Sequence, residues 1–170
     1  EQEASMKLEL PAAHWAANIA FGASIILRYL NDRTREARLV EVVAAISNWQ
    51  PPAGRMQQCE GENGCLILDD CYNANPVSMQ AAIDTLRALD GGRIAILGDM
   101  GELGEGSEDA HSSSDIQGLD RVYLIGRRMQ ALAMKHPETR WFASTDEAVA
   151  GLSGETFDAG DTVLVKASRS

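Results

Sequence analysis

The densest polar run in the chain is Asp69-Asp70-Cys71-Tyr72-Asn73-Ala74-Asn75-Pro76, which sets two carboxylates beside two amides. It follows the apolar run Cys65-Leu66-Ile67-Leu68 and precedes a helical pattern. That order predicts the C-terminal end of a parallel strand, where α/β domains bind ligands. A carboxylate such as Asp70 can hold ribose hydroxyls there, and an amide such as Asn73 can read a base or a sugar. The same residue types also build Asx-turns and helix N-caps, which is the purely structural alternative. A second run, Gly98-Asp99-Met100-Gly101-Glu102-Leu103-Gly104, also follows a strand pattern. Its glycines permit close backbone approach, and Asp99 with Glu102 could hold Mg²⁺ through water. A plain turn is the alternative. In a third run, Lys166-Ala167-Ser168-Arg169-Ser170, two cations and two hydroxyls at a strand end suit a carboxylate or a phosphate. The alternative is a solvated basic terminus. Arg55, alone after Gly54, could reach a phosphate or lie on an ordinary surface.

Other chemistries find little support. A P-loop needs GxxxxGK followed by Ser or Thr. The three lysines, Lys7, Lys135 and Lys166, follow Met6, Met134 and Val165, so no P-loop is present in this chain. His14, His111 and His136 show no ligand spacing. Cys59, Cys65 and Cys71 match neither a disulfide framework nor a CxxC zinc site. Reduced thiols of this kind fit a reducing cytoplasm. With 15 basic and 25 acidic residues the net charge is −10, which argues against a nucleic-acid partner and against a polybasic membrane contact. No apolar run reaches the roughly 18 residues of a membrane span. The most apolar stretch, residues 16–30, is interrupted by Asn18 and Arg28. The start, Glu1-Gln2-Glu3, is acidic and has neither an initiator Met nor the features of a signal peptide.

The elements that must position these residues follow from periodicity. Residues 6–10 alternate as a short strand. Pro11 opens an Ala- and Ile-rich helix over 12–30, expected to be largely buried. A second helix over 36–48 places Leu39, Val42, Val43 and Ile46 on one face. Pro51-Pro52-Ala53-Gly54 breaks the chain, which divides it into domains 1–50 and 51–170. Beyond it, strands are predicted over 65–68, 93–97, 121–125, 140–142 and 162–165. Helices alternate with them: residues 76–89, with Met79, Ile83, Leu86 and Leu89 on one face; a helix after Gly126 through about Lys135; and 146–152, capped by Thr145. Strands alternating with helices imply the α/β class, with parallel βαβ units covered on both faces.

The motifs occur together in one order: Gly54-Arg55-Met56, then the Asp69–Pro76 run with Ser78-Met79, then Gly98–Gly104, then Val165-Lys166-Ala167-Ser168-Arg169-Ser170. This order resembles the Mur ligase family, in its MurF type, which adds D-alanyl-D-alanine to UDP-N-acetylmuramoyl-tripeptide in peptidoglycan synthesis. The segment Leu10-Pro11-Ala12-Ala13-His14 through Asn18 is similar to the helix that ends the central ATP domain of that family, so the resemblance covers nearly the whole chain. It implies a Rossmann-like C-terminal domain with a mostly parallel sheet at 51–170, preceded at 1–50 by the helical end of the central ATP-binding domain.

The resemblance also implies a reaction. ATP phosphorylates a substrate carboxylate, and the amine of D-alanyl-D-alanine displaces phosphate from the acyl phosphate. Domain closure excludes water from that intermediate. By resemblance Arg55 would contact the ATP phosphates, Asp70 the ribose, Asn73 the neighbourhood of the nucleoside, and Asn18 the adenine. Lys166, Ser168 and Arg169 would position the dipeptide or the acyl phosphate. Mg²⁺, the P-loop and the UDP-sugar site would belong mainly to parts outside this chain, so catalysis by these residues alone is not expected. Trp15 departs from the family pattern, which commonly has Asn after the His. The stretch 101–120 is shorter than the usual connection, and the helix that usually follows the last strand is missing. Two other readings are a folate-type ligase that adds glutamate and a non-catalytic interaction module of the same fold. The Tyr72-Asn73-Ala74-Asn75 run together with Lys166-Ala167-Ser168-Arg169 favours the cell-wall type.

Overall fold

A computed structural model describes residues 13–29, 41–42, 44–46, 50–101, 103 and 107–169. The chain divides into two compact units, Glu1–Pro51 and Pro52–Ser170. The expected strand over 6–10 and most of the helix over 36–48 lie outside the described residues; 41–42 and 44–46 are helical.

In the first unit, α1 spans Ala13–Tyr29. Ile19, Gly22, Ala23 and Ile26 line an apolar groove with Val42, Ala45 and Ile46. The expectation that this helix is mostly buried is not met, because Phe21 is 69% exposed and Ile25 and Ile26 are also exposed. Apolar residues run around the helix rather than along one stripe, and the groove covers only one side. No helix among the described residues is long and apolar enough to cross a membrane.

The second unit carries one six-stranded sheet. Its strands are β1 (Gln57–Glu60), β2 (Leu66–Asp70), β3 (Gly92–Gly98), β4 (Arg121–Ile125), β5 (Arg140–Phe142) and β6 (Asp161–Lys166), in the spatial order β1-β2-β6-β3-β4-β5. All neighbours pair in parallel except β1 with β2. The helices are α2 (Pro76–Arg87), α3 (Ser107–His111), α4 (Gln130–Lys135) and α5 (Thr145–Leu152). The last strand in sequence thus lies between the first parallel strand and β3.

Strand alternation divides the core in two. Cys65, Ile94, Tyr123 and Val163 form a cluster on one face, packed against Leu152 of α5 and Phe157. Residues of opposite parity, among them Leu68, Ala95, Leu97 and Leu164, are at most 1% exposed on the other. The helix α2 contacts β6 and β3 and buries Met79, Ala82, Ile83 and Leu86, the spacing of one helical face. Burying each large apolar side chain stabilises the fold by about 1.5–3 kcal/mol. Asn75 begins α2 with a reciprocal cap: its side chain accepts from Ser78 N, and Ser78 Oγ accepts from Asn75 N. Pro76 occupies the first turn, where its missing N–H costs nothing. The helix ends at Arg87, so Leu89 falls outside it and is exposed, contrary to the expected face.

Three further details differ from the periodicity. The edge strand β1 carries no apolar pattern, since Gln57-Gln58-Cys59-Glu60 is polar and takes its strand form from pairing with β2. The cap of α5 is Ser144, which accepts from Glu147 N, and Thr145 is already helical. After Gly126 the chain first makes turns, and α4 begins only at Gln130.

At the N-terminal ends of the parallel strands, Glu155 gathers Tyr123 Oη at 2.9 Å, Arg121 and Arg140. The Tyr123 hydroxyl and the two guanidiniums hold the Glu155 carboxyl below its ordinary value. This network fastens β4 and β5, and Arg121 extends it to Asp161 of β6 at 2.9 Å.

Urea unfolding tests the two kinds of contribution to α2. Ile83→Ala is expected to cost about 2–5 kcal/mol through lost burial and the cavity left behind. Loss of the cap in Asn75→Ala is expected to cost about 1 kcal/mol. Equal losses would show that the helix is not anchored mainly by its buried face.

Candidate functional site at the C-terminal edge of the sheet

Parallel register sets Asp70, at the end of β2, beside Lys166, at the end of β6. Lys166 is only 1% exposed. A buried ammonium is costly unless its charge and protons are met, and here Nζ donates to Asp70 Oδ2 at 2.6 Å and to the Asn73 carbonyl at 3.0 Å. Asp70 Oδ1 accepts from Met56 N at 3.1 Å. Lys166 is therefore not the solvent-facing cation of a basic terminus; it is the internal counter-ion of Asp70. The Asp70 side chain remains 16% exposed.

Ser168 joins three loops. Its Oγ accepts from Ala74 N at 2.9 Å and from Gly101 N at 2.8 Å. It stands 2.9 Å from Asn73 Oδ1 and 3.2 Å from the Ala74 carbonyl, one of which takes its single proton. Ser168 N donates to the Asp99 carbonyl at 3.0 Å. The segments after β2, β3 and β6 thus converge on one hydroxyl. A Cβ on Gly101 would sit 3.2 Å from that of Ser168, so the close approach suits glycine.

Arg55 lies in a turn closed against the same edge. Gly54 has φ +71° and Met56 has φ +54°, both in the left-handed region. The Gly54 carbonyl accepts from Tyr72 N at 2.9 Å. Between these ties the Arg55 side chain extends outward, with Cζ 4.1 Å from the centroid of the exposed Tyr72 ring. Arg169 is exposed as well. Asn73 is exposed, and its Oδ1 accepts from Ala74 N at 2.8 Å, so part of its capacity is used locally. The edge therefore brings together Arg55, Asp70, Asn73, Lys166 and Ser168, with Arg169 next in the chain. Asn18 is exposed on α1, in the other unit.

Asp99 has a structural role at this edge. Its Oδ1 accepts from Arg128 N and Met129 N, each at 3.1 Å, and so closes the turn before α4. Glu102 lies outside the described residues. Among the described residues no group of three or more His, Cys, Asp or Glu could hold a metal ion. Two further contributors have partners set by tertiary approach. Buried His111 accepts from Met100 N at 2.8 Å through Nε2 and pins the loop after β3. Tyr72, an exposed aromatic between polar residues, carried one signal, its large ring in a loop. Cys71 donates to the Val165 carbonyl, and burial, with the Asp69 carboxylate beside it, pushes its thiol up to about 11.

Comparison with known proteins follows the same segments. Residues 54–169 match the family model of the Mur ligase, glutamate ligase domain. Over 168 residues the chain is 32% identical to the UDP-N-acetylmuramoyl-tripeptide–D-alanyl-D-alanine ligase of Escherichia coli, covering 96% of this chain and 36% of that protein. It is similar to a crystal structure of MurF from Acinetobacter baumannii, with a TM-score of 0.65 and 28% identity over 77% of this chain and 30% of that one. It is also similar to MurF ligase from Thermotoga maritima in complex with ADP, with a TM-score of 0.64 and 29% identity over 75% of this chain and 30% of that one. The chain spans about a third of the length of the curated relatives it matches.

Two outcomes follow from the geometry. Lys166→Met strands a largely buried carboxylate and is expected to lower stability by about 3 kcal/mol in denaturant unfolding; a loss near zero would mean that Asp70 is adequately solvated without it. Because the thiolate is the reactive form, Cys71 should resist iodoacetamide at pH 8 while exposed Cys59 is modified, with its own rate climbing as pH approaches 11. Equal modification of both at pH 8, read by peptide mass spectrometry, would contradict that environment.

Proposed function

The chain belongs to the Mur ligase family, and we propose that it supplies the C-terminal part of an ATP-dependent ligase that joins D-alanyl-D-alanine to UDP-N-acetylmuramoyl-tripeptide. Support comes from the relatives' D-alanyl-D-alanine ligase names, which favour this over a glutamate-adding folate ligase, and from the ADP held by the Thermotoga maritima neighbour. The observation that carries it is the junction at Ser168, where three loops are fixed at the C-terminal sheet edge with Arg55 and Arg169 left exposed on it. Its setting is a cytoplasmic step of cell-wall synthesis.

In this reaction the tripeptide carboxylate attacks the terminal phosphorus of ATP, and ADP leaves. The dipeptide amine then attacks the acyl carbon, the C–O bond to phosphate breaks, and the amine proton is lost. The residues of this chain bind and orient. Arg55 offers a planar fork of N–H donors to phosphate oxygens. Asp70 uses its open face to accept from a ribose hydroxyl, with Asn73 beside it. Arg169 pairs with the dipeptide carboxylate, and Ser168 fixes the loop that presents it. Lys166 acts indirectly, by neutralising Asp70 so that an anionic nucleotide is not repelled from an acidic chain. Mg²⁺ and the phosphate cradle would be held mainly by the remainder of the ligase.

Steady-state kinetics of the full-length ligase test these roles. Arg55→Ala is expected to raise KM for ATP roughly 10- to 100-fold, the loss of a charge-assisted hydrogen bond. Arg169→Ala is expected to raise KM for D-alanyl-D-alanine more than KM for ATP. Equal effects of both variants on both substrates would remove the assignment.

A further inference from the structure

We propose that Tyr72 is a positioning residue for nucleotide use, its ring holding the Arg55 guanidinium flat and pre-set before ATP arrives; this rests on Arg55 acting at the phosphates, as proposed above. The Arg55 backbone is already fixed on both sides. The Gly54 carbonyl is tied to Tyr72 N at 2.9 Å and Met56 N to Asp70 Oδ1 at 3.1 Å. A Cβ on Gly54 would stand 3.1 Å from Tyr72 N. What remains free is the long Arg55 side chain, which loses much rotamer entropy if ordered only on binding. Tyr72, with its ring 4.1 Å from Arg55 Cζ, removes part of that freedom in advance.

The way it does so preserves the chemistry. Stacking occupies a face of the guanidinium and leaves the in-plane N–H donors for phosphate oxygens. An ion pair with a neighbouring carboxylate would consume those donors. The carboxylate tied to this turn, that of Asp70, is already taken by Lys166 at 2.6 Å and by Met56 N. Core packing does not account for the ring, because Tyr72 is 49% exposed.

Full-length ligase variants decide the matter through KM for ATP. Tyr72→Phe keeps an aromatic face and is expected to leave KM unchanged. Tyr72→Leu keeps apolar bulk without that face and is expected to raise it about two- to fivefold, the size of an exposed cation–π contact. In the Tyr72→Leu variant kcat and KM for D-alanyl-D-alanine are expected to stay near the parent values, and the double variant Arg55→Ala/Tyr72→Leu to match Arg55→Ala alone. An undiminished effect of Tyr72→Leu in the Arg55→Ala background would overturn the proposal in favour of direct nucleotide contact. So would Tyr72→Phe as impaired as Tyr72→Leu, or Tyr72→Leu with parental KM. Should Arg55→Ala itself leave KM for ATP unchanged, the phosphate role of Arg55 fails and the positioning role with it.

Discussion

The buried charge pair between Lys166 and Asp70 is the constraint on which the candidate site depends. An ammonium at 1% exposure is tolerable only with an anion and further acceptors in place. Parallel pairing of β2 with β6 supplies the anion, and the Asn73 carbonyl supplies the next acceptor. The pair in turn decides what its neighbours can do. Asp70 Oδ1, set in place by the pair, accepts from Met56 N, which closes the turn around Arg55. The loop after β2 is drawn over the strand ends, where Ser168 can reach it. Three segments distant in sequence are thus registered against one ion pair and one hydroxyl.

The two ends of the sheet solve the problem of charge in different ways. At the N-terminal ends, Arg121, Arg140, Glu155, Asp161 and Tyr123 satisfy one another, and no cation is left over from that cluster. At the C-terminal ends the internal demand is met by a single lysine, and the exposed Arg55 and Arg169 lie outside that pairing. In a chain of net charge −10 that contrast concentrates accessible positive charge where the loops converge. An anionic ligand is therefore favoured at one end by local charge despite the sign of the whole.

Much of the fold was legible in the sequence because its strands are short apolar runs bounded by turn residues. Residues 65–68, 121–125, 140–142 and 162–165 read as strands and proved to be, with shifts of a residue or two. The strand β1 could not be read, because its polar residues owe their extended form to a partner remote in sequence. The cap of α5 was misplaced by one residue, as Ser144 and Thr145 have equal chemistry and only backbone geometry separates them. At the site, sequence order drew attention to the right loops but not to the internal partners of each side chain. Lys166 looks like a terminal surface cation until the register places it beside Asp70. The structural part played by Asp99, accepting from two backbone N–H groups, likewise appears only in the fold. The partners of Tyr72 and His111 are likewise set by tertiary approach.

The position of β6 has a consequence for how the molecule is made. Although last of the six strands in sequence, it lies between β2 and β3, pairing with both. Until it arrives, two apolar strands separated by α2 have unpaired edges facing a gap, and the site loops lack Ser168. Such non-local closure is intrinsically slow, and open edges are prone to foreign pairing. On the ribosome, the earlier strands must wait for residues 161–168 before the sheet becomes continuous. The segment that completes the site is then also the one that ends the interval of greatest aggregation hazard.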